Sequence, residues 1–309
     1  MNPTSQTPAQ LGIGVDQTGA VYRGGQAWKP LPAARAWRRK GAEAPIYLQV
    51  LQPQTRHPFW LERFDSASLS CVFSDLEVGD IAPRVLVDAV LGLPRDITSQ
   101  NHKHADFRSS LRDALLFFKD HLKNGEIARG RGAAEAYFQG VLRAWSGNAQ
   151  GGSSGLPARE AERLAGANSV FLTRPYQKNV QTGTYRIWIE LAQWLAKEGM
   201  QAVHFPHHDP SAPLPVSQWS VEESWPSLLW RTLFGCRTRK PAEFGNELKR
   251  LEKKLSLRLV CSSEDLDFCA KHPDHADALI LALGGILLPR SKSEGLKGEG
   301  WITGLKKIE

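Results

Sequence analysis

The stretch HPDHADALILAL, residues 272–283, sets two carboxylates, Asp274 and Asp277, at the entrance to the most apolar run of the chain. Pro273 suits the first position of a helix, where its missing N–H is not needed. An acid in the first turn is also favoured by the helix dipole. Those effects account for Asp274. They account less well for Asp277, because Ala278, Leu279 and Ile280 follow at once and carry it toward the core. Residues three apart on a helix share a face, so both carboxylates are presented together. A charge beside a core needs a counter-charge.

Upstream, acids recur at the ends of apolar elements. LGIGV (11–15) reads as a buried strand closed by Asp16. PRVLVDAVLGLPR (83–95) reads as a second, with Val85, Leu86 and Val87 apolar on both faces, as a central strand should be, and Asp88 next. SQWSVEES (217–224) is a short strand ending in Glu222 or Glu223. Each acid has an ordinary reading by itself: Asp16 in the turn before QTG, Asp88 bonding the GLP turn, Glu223 adding its charge to the next helix N-terminus. Taken together they converge, because ligand sites in α/β sheets lie beyond the carboxyl ends of the strands. Such a cluster repels itself unless cations neutralise it. Hard oxygen ligands without cysteine suit Mg²⁺ or Mn²⁺, and two such ions about 3.5–4 Å apart clamp a phosphodiester.

The remaining elements follow from periodicity. AVYRG (20–24) and PIYLQVLQ (45–52) read as strands, QAVHFPHH (201–208) as a short one, and FDSASLSCVFSDL (64–76) as a helix. Helical patterns occupy 184–199, 225–235, 241–255 and the final apolar run. Residues 96–180 read as a helical insertion, broken by the flexible composition SGNAQGGSSGLP (146–157). Strands that give way to strand–helix alternation predict an α/β fold with a mixed sheet.

With 309 residues and 41% hydrophobic content, the chain can bury a sizeable core. Its 39 Lys and Arg against 32 Asp and Glu give +7, which permits an anionic partner such as nucleic acid. The four cysteines (71, 236, 261, 269) form no CxxC pair. The polar start MNPTSQTPAQ has no signal-peptide core, and the apolar run 278–288 is too short for a bilayer. The expectation is a cytoplasmic protein with reduced thiols, not inserted in a membrane. Residues 1–10 are expected to be disordered.

GIGVDQTGAV (12–21), LVDAVLGLPR (86–95) and DHADALILAL (274–283) resemble the three acidic motifs of the RNase H-like superfamily. The last is similar to the Asp-x-x-Asp-Ala-Leu helix of RuvC-type resolvases. The chain resembles most the domain of unknown function 429 family of predicted nucleases, through DAVLGLP (88–94), REAE (159–162), ESWP (223–226) leading into SLLWRTLFG, and EGWI (299–302). Ala89-Val90 departs from that pattern, which has an apolar residue and then Pro. The resemblance spans residues 11–302. It implies one RNase H-like domain with a mixed five-stranded sheet flanked by helices, the insertion at about 96–180, and a basic tail at 303–309. It also implies a metal-dependent nuclease. Asp16 would bridge two Mg²⁺ or Mn²⁺ ions, Asp88 and Glu223 would each hold one, and Asp277, helped by Asp274, would complete the second site.

Two rival functions stay open at this stage. DQTGAV (16–21) resembles the first phosphate loop of actin-like sugar kinases, but the sequence offers no second Gly-rich loop of that kind. A non-catalytic nucleic-acid-binding module would keep the fold without turnover. Secondary candidates are the Trp- and Arg-rich stretch 24–40, which suits single strands or a hairpin rim, the basic runs RTRK (237–240) and KRLEKK (249–254), and the histidines of HFPHHDP (204–210). The histidine stretch lacks helical metal-ligand spacing.

Overall fold

A computed structural model describes residues 10–17, 31–39, 41, 43–51, 83–92, 158–167, 203–208, 219–289 and 300–305, with residues 183, 184, 187, 188, 190, 191, 194 and 195. The expected strand at 20–24, the helix at 64–76, the loop at 146–157, residues 1–9 and 306–309, and all of the 96–180 insertion but 158–167 lie outside the described residues. In the insertion, Glu160–Leu164 is a helix, α1.

Among the described residues, the chain forms a mixed α/β structure around one sheet of seven strands, not the five expected. They are β1 Gln10–Val15, β2 Ala33–Arg38, β3 Ile46–Leu51, β4 Arg84–Val87, β5 Val203–His204, β6 Trp219–Glu223 and β7 Leu259–Cys261. The order is β5-β6-β4-β1-β2-β3-β7. β2 runs antiparallel to both β1 and β3, while β4, β6, β5 and β7 pair in parallel. β5, which falls in the short strand expected at 201–208, and β7, where no strand is expected, lie at the sheet edges and are short. β2 falls within the stretch read as basic and aromatic. Its half-buried Trp37 stacks on Tyr47 of β3 at 5.4 Å, with Arg35 over the indole at 4.9 Å. β4 is shorter than the expected 83–95, because beyond Asp88 backbone donors turn to side chains: Val90 N–H donates to Thr184 Oγ1 and Leu91 N–H to Glu223 Oε2.

The helices are α2 Pro226–Leu229, which runs on as a π-helical turn over Trp230–Phe234, then α3 Phe244–Leu255, α4 Ser263–Lys271 and α5 Pro273–Leu287. One face of the sheet packs against Ile187, Trp188, Leu191, Trp194 and Leu195, which meet Ile13, Val15, Val85, Val87 and Val221. The other face packs against α5, α2 and α3.

α5 lies directly on the β1 backbone. A Cβ on Gly14 would stand 1.9 Å from the Ala278 carbonyl oxygen, and one on Gly12 would stand 2.2 Å from that of Ala282. Strand and helix therefore approach as only glycine allows. Two strand residues advance about 6.7 Å and four helical residues about 6 Å, so the two elements stay in step while running in opposite directions. One step further sets Asp16 level with the first turn of α5, the turn that carries Asp274 and Asp277. Among the described residues, no helix is long and apolar enough to cross a membrane.

Candidate functional site

Pleat parity decides where each acid faces. Gly12 and Gly14 face α5, so Asp16, two residues on, faces it too. Val15 pairs with Val87, and the ladder continues for one residue, with Asp88 N–H donating to Val15 O at 2.9 Å. Asp16 and Asp88 are therefore lateral neighbours just past the carboxyl ends of two parallel strands. Their carboxyl groups share a hydrogen bond, and Asp277 is within electrostatic reach of both.

Asp16 is 5% exposed and Asp277 is fully buried. Burial, and then the charge of Asp88, hold the Asp16 carboxyl well above the usual carboxylate range. Burial, and then the charge of Asp277, push the Asp88 carboxyl up to about 7, against a hydrogen bond from Asp16 that favours its ionised form. Burial also raises Asp277, offset by Arg239 and Trp230. Trp230 Nε1 donates to Asp277 Oδ1 at 2.9 Å and Arg239 donates to Oδ2. The indole is fixed by edge contacts with Phe234 and Phe244. Asp274 is exposed on the same turn and adds its charge to Asp16 and Asp277.

Glu223 is placed differently from the expectation. It pairs with Val87 rather than Asp88, so parity turns it away from α5. Its oxygens accept from Arg159 at 2.6 and 2.8 Å, from Leu91 N–H at 2.8 Å and from Trp225 Nε1 at 3.1 Å. With those lone pairs engaged, Glu223 is not free to hold a cation in this arrangement. What it holds is the segment after Asp88, through Leu91. Arg159 is fully buried and also faces Glu162, whose carboxylate accepts the Arg159 backbone N–H at 2.8 Å. The REAE and ESWP stretches thus meet in one buried ion network.

Glu222, left open beside Glu223 in the sequence, is closed as well. Arg84 donates to both its oxygens at 2.7 Å, and Thr303 Oγ1 donates at 2.7 Å. Despite burial, that guanidinium lowers its carboxyl to about 2. Thr303, assigned to the tail, is buried here against β6. Of the loop histidines, His207 bonds Thr303 and His208 bonds the Leu91 carbonyl, so they serve the same buried network. Asp209 lies outside the described residues.

The chemistry of the donor set fits divalent cations. Asp16, Asp88 and Asp277 offer hard oxygen donors, their mutual repulsion calls for positive charge, and Arg239 alone among the described cations bonds any of them. Among the described residues, no three His, Cys, Asp or Glu side chains already form a ready ligand cluster. No family model matches the chain, and searches of curated proteins and of solved structures give no match.

Proposed function

We propose that this protein is a metal-dependent nuclease with an RNase H-like core, hydrolysing phosphodiester bonds of nucleic acid. The observation that carries the reading is the contact between buried Asp16 and half-buried Asp88 beyond two parallel strands, with Asp277 brought over it by the glycine-mediated seat of α5. Two carboxyl groups held in contact at the edge of the core are a costly arrangement for structure alone. The central strands β3-β2-β1-β4-β6, antiparallel and then parallel, support the kind of core that the sequence resemblance implies. The +7 charge favours a polyanionic substrate.

In this reading Asp16, Asp88 and Asp277 hold Mg²⁺ or Mn²⁺, and Asp274 stands at the rim. Bound there, such cations supply charge neutralisation and Lewis acidity at a phosphodiester. The protein's own part is positional. Trp230 aims Asp277 through a donor that cannot accept. Glu223 and Arg159 fix the chain after Asp88. Asp16 and Asp88 would have to give up the proton between them to hold such cations, since ligating carboxylates must be ionised.

Mn²⁺ titration by calorimetry, wild type against Asp16→Asn, tests the reading alongside cleavage of labelled DNA and RNA oligonucleotides. Wild type is expected to bind Mn²⁺ with proton release, and the variant to lose both binding and cleavage. A wild type that takes up no Mn²⁺ or Mg²⁺ at neutral pH ends the proposal.

A further inference from the structure

Among the described residues, buried acids of the sheet and α5 make three arginine–carboxylate pairs, and one of them differs from the other two. Arg84–Glu222 and Arg159–Glu223 are two-toothed, with every partner side chain at most 3% exposed. These are closed structural pairs, with geometry that fills the guanidinium fork. Arg239–Asp277 is single-toothed, and the Arg239 side chain is 52% exposed while Asp277 is buried. Arg239 also lies outside regular structure, between the π-helical turn ending at Phe234 and the 3₁₀ turn Pro241–Glu243.

We infer that Arg239 is a substrate-positioning residue for the phosphodiester, and that its bond to Asp277 competes with a divalent cation for that carboxylate. The inference rests on the nuclease reading above. Asp277 has two oxygens with different partners. Trp230, buried and clamped between rings, is a permanent donor to Oδ1. Arg239 reaches Oδ2 from the solvent side, and its charge is drawn in by Asp277 and then by Asp16 and Asp88, although partial burial works against it. A divalent cation ligated by those same three acids competes for the oxygen that Arg239 occupies.

Once displaced, the guanidinium remains tethered beside the site. It makes one bond among the described residues and carries five N–H donors in a planar fork. That fork matches two non-bridging oxygens of a phosphodiester better than a lysine point charge does. Arg237 stands exposed two residues away and Lys240 is half-committed to Glu243 at 3.2 Å. The basic run 237–240 is therefore at the mouth of the acidic site, not on a remote surface.

Arg239→Gln and Arg239→Lys separate the two roles. Gln keeps a donor for Asp277 without charge, so the variant has a route to fold; melting in EDTA verifies that it does. Calorimetry with Mn²⁺ alone is expected to show about tenfold tighter binding for Arg239→Gln, because a competing positive charge is gone, and near wild-type binding for Arg239→Lys. Cleavage of a labelled oligonucleotide is expected to show KM raised about tenfold in both, since both lose the fork. Unchanged or weaker Mn²⁺ binding in Arg239→Gln overturns the inference, as does an unchanged KM. Either result leaves the nuclease reading standing, which fails separately if wild type binds no Mn²⁺.

Discussion

The Asp16–Asp88 contact makes the cation-free protein less stable as pH rises, and Asp88→Asn isolates the effect. In the folded chain burial and the Asp277 charge lift the Asp88 carboxyl from 3.8 to about 7, and Asp16 is lifted in the same direction by burial and by Asp88. The folded state therefore holds protons more tightly than the unfolded state. Below about pH 4 both states are protonated and stability is intact. As pH climbs through about 7 the folded state must carry the ionised cluster, and that stability is lost. A rise from 3.8 to about 7 corresponds to about 4 kcal/mol at most. Asp88 retains some solvent contact and titrates jointly with Asp16, so about 2 kcal/mol is expected.

The substituted asparagine keeps the geometry. Its amide can accept from Asp16 when that acid is protonated and donate to it when ionised. Urea denaturation in EDTA is followed at pH 5, 6, 7 and 8 for both proteins. The stability of wild type minus that of the variant is expected to fall by about 2 kcal/mol across the series. Adding Mn²⁺ at pH 8 is expected to restore wild type and leave the variant nearly unmoved. A difference that is flat, or that rises with pH, refutes the account of a mutually repelling Asp16–Asp88 pair.

Three further outcomes follow from the same geometry. Gly14→Ala drives a Cβ into the Ala278 carbonyl, so α5 must lift from β1; a loss of about 3 kcal/mol or more in urea is expected, with weakened Mn²⁺ binding because Asp277 moves off Asp16. Glu222→Gln leaves Arg84 buried without its counter-charge, and chemical denaturation should register a loss of about 3–5 kcal/mol at neutral pH. Because the Glu222 carboxyl is lowered to about 2, that stabilisation is present above about pH 4.5 and fades as pH falls toward 2 in wild type, so the two proteins converge in acid. Asp277→Asn is expected to abolish Mn²⁺-dependent cleavage while Asp274→Asn, exposed on the same turn, lowers it only modestly; equal activity in both variants would reassign the turn to helix capping.

Much of the architecture is legible in local pattern. The runs of β1, β3 and β4 and the apolar length of α5 announce buried elements, because continuous or alternating apolar residues have few other uses. β2 is not legible in the same way. Ala33-Ala34-Arg35-Ala36-Trp37-Arg38 does alternate, with Arg35 and Trp37 on one face and small alanines on the other, but Ala and Arg are weak strand formers. It becomes a strand because β1 and β3 pair with it on both sides and its Ala34 and Ala36 pack in the core shared with α5. Where β4 stops is likewise decided outside it, by Thr184 and Glu223 taking the backbone donors of Val90 and Leu91.

The candidate site divides along the same line. Sequence alone determines that acids close the apolar elements and that Asp277 is carried into the core, since both depend on near neighbours in the chain. It leaves Glu222 and Glu223 as alternatives at the end of β6. Tertiary structure decides that neither is free: pleat parity sends them to opposite faces, where Arg84, 138 residues away, takes one and Arg159, 64 residues away, takes the other. It decides equally that Asp16 and Asp88 touch, because the Val15–Val87 register sets them side by side. Charge compensation in a core depends on which side chains meet across strands. That is fixed by register and parity between distant segments, so no local pattern of residues contains it.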